Sequence, residues 1–201
     1  MPTFGVIPKP APVAGKKFPR AVVLTANRYE DFELYIPVFR LVEADWHVDI
    51  AAPAVERIVG EVGYTIVPDM RIDDVDPNAY DLLLIPGGFP TGAPTTVRNT
   101  PHALDVTRHF IAAQKPVAAI CHGPYVLVSA DVIRGRRLTS YWYDGVPEEI
   151  AAAGGTWIDE EVVVDGNLVT ARWPMDIPAF TREMMRVATA WVQRPQRKMA
   201  H

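Results

Sequence analysis

Apolar positions in this chain recur in two alternating rhythms. Arg20 to Ala26 (RAVVLTA) is a short run rich in β-branched residues, which suits a strand buried on both faces of a parallel sheet. From Asp31, the residues Phe32, Leu34, Tyr35, Val38, Leu41 and Val42 fall near helical spacing, and His47 to Ala52 (HVDIAA) returns to alternation. Val55 to Val67, with Gly60 and Gly63, predicts a small hairpin, and Tyr80 to Ile85 a further buried strand ending in Pro86-Gly87-Gly88. Pro101 suits the first turn of a helix to about Gln114, where its missing N–H costs nothing. Pro116 ends that helix, and the strand Val117 to Ile120 leads directly into Cys121. Beyond it the pattern predicts a helix from Pro124 to Ala130, a strand from Arg137 to Tyr141 and a helix from Pro147 to Ala153 capped by Gly154-Gly155. A hairpin turning at Asp165-Gly166 and a final helix from Pro178 to Trp191 complete the chain.

Strands alternating with helices imply an α/β fold whose mostly parallel sheet carries helices on both faces. Such sheets bind ligands beyond the carboxyl ends of their strands. Glu30, Gly87-Gly88 and Cys121 all fall at such ends.

A length of 201 residues, 49% of them hydrophobic and 22% charged, fits one compact domain. The expected division is a Pro-rich arm over 1–18, a domain over 19–192 and a short basic, mobile tail over 193–201. A net charge of −4, with Lys and Arg scattered among the acids, excludes the basic surface that nucleic acid selects. No run is long and apolar enough for a bilayer, and Pro2, Pro8, Pro10 and Pro12 break any leader helix; a cytoplasmic protein is expected.

A solitary cysteine cannot close an intramolecular disulfide, so Cys121 is a buried apolar group, a redox thiol or a nucleophile. Its setting, Ala118-Ala119-Ile120-Cys121-His122-Gly123-Pro124, places it at a sharp strand-to-helix turn. The N–H groups of the following helix are expected to lower its pKa. His122 is either a general acid or base or a turn residue contributing its N–H. Glu30 is either a solvated acid near a helix start or, if protonated in a pocket, a hydrogen-bond donor to sulfur. His47, His102, His109 and His201 have no metal-ligand spacing, and the Gly87-Gly88 pair makes no dinucleotide fingerprint.

Ala118 to Pro124 resembles the nucleophile elbow of the ThiJ/PfpI superfamily. Gly135-Arg136-Arg137-Leu138-Thr139-Ser140-Tyr141, the segment Trp157 to Asn167 and the segment Ala26 to Leu34 resemble its PfpI-type branch in order and spacing, over about residues 20 to 192. The resemblance implies a flavodoxin-like three-layer sandwich, related to the class I glutamine amidotransferase-like fold, that assembles as a dimer or hexamer. It further implies catalysis by Cys121, His122 and Glu30, with the backbone N–H groups of Gly88 and His122 as oxyanion donors, beside Gly87.

PfpI-type peptidases are expected to orient the histidine with an acid from a neighbouring subunit, and Thr95 occupies the matching position here. Tyr141-Trp142-Tyr143 and Trp173 suggest a small, partly apolar pocket for a small-molecule substrate. The reading that follows is a cofactor-independent enzyme for small activated carbonyl compounds or their adducts, of glyoxalase III or deglycase type. The alternatives are a PfpI-type cysteine peptidase or amidase and a non-catalytic redox-sensing stress protein whose thiol oxidises readily.

Overall fold

Runs of Val, Leu, Ile and Ala with hardly a polar position can only sit where both strand faces are covered, and the chain builds its central sheet from four such runs. The computed structural model describes residues 6–15 and 17–195. These four are β1 (Arg20–Leu24), β2 (His47–Ala52), β6 (Leu82–Ile85) and β7 (Val117–Ile120), with every residue of β6 and β7 buried. The minor strands are β3 (Ile58–Val59), β4 (Thr65–Ile66), β5 (Met70–Arg71), β8 (Arg137–Leu138), β9 (Thr156–Trp157), β10 (Val162–Asp165) and β11 (Leu168–Ala171). Seven strands make the main sheet in the order β10-β11-β7-β6-β1-β2-β5, parallel throughout except for the antiparallel β10–β11 hairpin. The expected turn of that hairpin is present, with Gly166 at φ 60°. The α/β sandwich expected from the sequence is the fold observed.

The helices are α1 (Asp31–Glu43), α2 (Ala93–Arg98), α3 (Pro101–Ala112), α4 (Pro124–Ser129), α5 (Val146–Ala152) and α6 (Ile177–Gln193). The sequence pattern misses α2 and β5, and the strand predicted over 137–141 is only the two residues of β8, Arg137–Leu138. On α1 the predicted stripe holds at Leu34, Tyr35, Val38 and Leu41, which are buried, but Phe32 is exposed and the acid Glu33 is buried among them. Pro37 lies inside this helix and has no N–H to give the carbonyl of Glu33.

The described part of the N-terminal arm lies against the body. Ile7 is buried, and the Lys9 ammonium reaches Asp49 of β2 at 2.9 Å and Asp69 at 3.1 Å. The expected basic tail lies, from residue 196 onward, outside the described residues. Among the described residues no helix is long and apolar enough to cross a membrane.

Candidate active site

β1, β6 and β7 are neighbours in the sheet, so the segments following them meet at one edge. Cys121 follows β7 directly in the left-handed region at φ 61°, a conformation a non-glycine residue adopts only when its surroundings enforce it. Two bonds enforce it here: the Cys121 N–H donates to the Ala171 carbonyl at 3.0 Å, and the Cys121 carbonyl accepts from the Tyr141 N–H at 3.0 Å. Glycine at 87 is a packing requirement, because a Cβ there would stand 2.6 Å from Glu33 Oε2 and 2.7 Å from Cys121 Cβ.

Cys121 lies on the floor of a cleft of about 460 Å³, lined also by Glu30, Gly88, His122, Tyr141 and Trp173. Glu61, Phe89 and Asp144 belong to its wall as well. Six of the seven residues singled out from the sequence therefore share one cavity; the seventh, Gly87, lies behind Cys121 and gives its N–H to Glu33 at 2.8 Å.

The carboxyl that meets the thiol belongs to Glu33, not to Glu30. Glu33 is fully buried and interacts with the Cys121 thiol; its Oε2 accepts the Gly87 N–H, and Oε1 has no hydrogen-bond partner among the described residues. Burial first, then the charge of Glu30, drives the Glu33 pKa well above the usual carboxylate range, which favours its protonated form. Glu30 caps α1 by accepting the Glu33 N–H at 2.7 Å and lines the cleft. Its pKa is pushed up to about 7, chiefly by burial, with Glu61 and Asp31 adding to the shift.

The expectation of an acidic thiol is not met. Burial and the neighbouring Glu33 carboxyl raise the Cys121 pKa, and the His122 backbone N–H only partly offsets them. The six-residue helix α4 is too small a counterweight to full desolvation. A thiolate forms here only against a proton held by a neighbour.

His122 is that neighbour: its Nδ1 lies 3.3 Å from Cys121 Sγ, and its Nε2 lies 3.0 Å from Asp144 Oδ2. Burial lowers its pKa, which leaves the ring neutral and able to accept a proton, while Asp144 opposes that shift. Asp144 was not foreseen from the sequence. Thr95, at the position where an orienting acid was sought, donates its hydroxyl to the Pro90 carbonyl instead.

Glu30 gives the site a pH signature. A carboxyl with a folded pKa near 7 and an unfolded value of 4.5 binds its proton more tightly in the folded state. Its contribution to stability is therefore complete below about pH 4.5 and lost as pH rises through about 7. Glu30→Gln should flatten the decline of the thermal midpoint between pH 5 and 8; an unchanged slope would assign that decline to other groups.

The profile of the DJ-1/PfpI family matches residues 19–187. The protein named deglycase PfpI, from Pyrococcus furiosus, is 42% identical over 168 residues, covering 84% of this chain and 98% of its own. The protein/nucleic acid deglycase 2 of Escherichia coli is 40% identical over 176 residues, covering 85% of this chain and 98% of its own. Among solved structures, Drosophila melanogaster DJ-1beta superposes with a TM-score of 0.76 at 26% identity, covering 86% of this chain and 91% of that one.

Proposed function

Because the chain belongs to the DJ-1/PfpI family, we propose that it is a cysteine-dependent enzyme of glyoxalase or deglycase type, acting on small activated carbonyl compounds and their adducts. The observation that carries this reading is the position of Cys121 Sγ, 3.3 Å from His122 Nδ1 and beside the buried carboxyl of Glu33. A dicarbonyl such as methylglyoxal needs this pairing. The sulfur forms a bond to the aldehyde carbon as its own proton passes to His122, and the aldehyde oxygen collects a proton from Glu33 to give a hemithioacetal.

The remaining steps are redox-neutral overall. The ionised Glu33 removes the hydrogen on the sulfur-bearing carbon while the ketone oxygen takes the proton held by His122, giving an enediol. Glu33 then returns its proton to the former ketone carbon as the hydroxyl on the sulfur-bearing carbon gives its own back to His122, so the hemithioacetal becomes a 2-hydroxy thioester. Water then breaks the C–S bond, releasing lactate and restoring the thiol. The backbone N–H groups of His122 and Gly88 are the candidates to hold the developing oxyanion. Phe89, Tyr141 and Trp173 give the cleft an apolar wall suited to a short carbon chain.

The test is to incubate the protein with methylglyoxal without added thiol and to quantify lactate. Lactate formation above the uncatalysed rate is expected. Its absence, at a concentration where the thiol is alkylated by iodoacetamide, sinks the carbonyl reading.

The contact between His122 and Asp144 favours a second reading, amide hydrolysis, since a held imidazole can protonate an amine leaving group. Fluorogenic peptide amides distinguish the two by their product.

A further inference from the structure

We infer that Asp144 is the positioning residue of His122, fixing the ring so that Nδ1 takes the Cys121 proton, and that it does so from within the same chain. Asp144 Oδ2 lies 3.0 Å from Nε2, and a carboxylate can only accept there. The neutral ring must then carry its hydrogen on Nε2, which leaves the lone pair of Nδ1 facing Sγ at 3.3 Å. When the S–H bond breaks and an N–H bond forms at Nδ1, the product is a thiolate beside an imidazolium. Asp144 faces the positive charge at once.

The loop that delivers Asp144 is built to hold it. Asp144 and Gly145 both occupy the left-handed region, at φ 61° and 77°, in the turn that leads into α5. The Tyr125 hydroxyl donates to the Asp144 carbonyl, and the Tyr125 ring stacks on His122 with centroids 5.9 Å apart. Arg98 lies over the other part of this arrangement, 4.4 Å from the Tyr125 ring centroid, and is itself paired with Glu149 of α5 at 2.6 Å. On the cleft side Tyr141 packs on His122 with centroids 4.8 Å apart, and Trp142 meets Trp173 edge-on at 5.3 Å. α2, α4 and α5 thus clamp a five-residue aromatic and acidic turn against one imidazole.

The other groups facing His122 do not supply this function. Cys121 is its proton partner, the Gly88 backbone also stabilises the protonated ring, and Tyr125 and Tyr141 offer ring faces. Glu33 lies behind the sulfur, while Glu30 and Glu61 stand on the cleft wall. Arg98 is neutralised by Glu149.

The test reads the thiol, not turnover, so it remains decisive whatever substrate the enzyme takes. Cys121 is the sole cysteine, and its iodoacetamide alkylation rate can be followed by intact mass against pH in wild type, Asp144→Asn and Asp144→Glu. Asp144 has a side chain 46% exposed, so these substitutions leave the core intact, and thermal midpoints serve as the control. Asp144→Asn should raise the alkylation midpoint by about one pH unit, a roughly tenfold slower reaction at neutral pH, because the imidazolium loses its counter-charge. Asp144→Glu should restore most of the difference. An alkylation profile for Asp144→Asn that coincides with the wild type overturns the inference. So does an equal shift in Asp144→Glu, which would make the loop's packing, and not the carboxylate, responsible. A normal alkylation shift with no lactate formation would leave the inference standing and count against the carbonyl reading alone.

Discussion

Cys121→Ala should abolish lactate formation from methylglyoxal, a loss of at least about a thousandfold, while leaving the fold intact. The side chain is small, and its Cβ remains in the variant, so the close contact with Gly87 is unchanged. The backbone bonds that hold residue 121 at positive φ, to Ala171 and Tyr141, do not involve the sulfur. Any activity lost therefore reflects chemistry, not structure. Cys121→Ser is the sharper variant, because an oxygen keeps the polarity but needs a far stronger base than a buried neutral imidazole to become an anion. Serine should be nearly as inactive as alanine. Lactate production retained in either variant would place the reacting group elsewhere and refute the central assignment, and a collapse of the thermal midpoint would show that the thiol is a packing element.

What could be read beforehand depended on whether a residue's neighbours lie near it in sequence. The strand Val117–Ile120 and the turn at Cys121 were legible because the apolar run, Pro116 and Gly123-Pro124 are contiguous. The hairpin at Asp165-Gly166 was legible for the same reason. Two-residue β5 and the helix α2, which begins Ala-Pro-Thr-Thr, carry no periodicity to detect. The choice between Glu30 and Glu33 failed on a finer point. Helical rhythm places Glu33 on the stripe of Leu34, Pro37, Val38 and Leu41, and an acid on a buried stripe is itself the signal, while the conspicuous Phe32 faces outward. Asp144 lies 22 residues past His122 in a turn with no pattern, and only the packing of Tyr125, Tyr141 and Trp142 brings it back.

Glu33→Gln should separate thiol reactivity from turnover. The amide keeps the shape: its oxygen can still accept the Gly87 N–H, and its NH₂ faces sulfur as the protonated carboxyl does. It also removes the nearer of the two carboxyls, Glu33 and Glu30, whose ionisation opposes the thiolate, so alkylation should stay within about threefold of wild type or become faster. What the amide cannot do is give up a proton to the aldehyde oxygen or accept one from the hemithioacetal carbon, and general acid–base catalysis of that kind contributes roughly 10² to 10⁴ in rate. Turnover of methylglyoxal should fall by a factor in that range with KM little altered. Glu33→Ala serves as the contrast: it leaves the Gly87 N–H buried and unpaired, a cost of about 1–3 kcal/mol, and opens a void against Cys121, so stability and activity should fall together. If Glu33→Gln retained full turnover, the buried carboxyl would be a structural brace for Gly87 and the proton shuttle would pass to Glu30, the other raised carboxyl in the cleft. Glu30→Gln would then carry the loss, and a double substitution would add nothing to it.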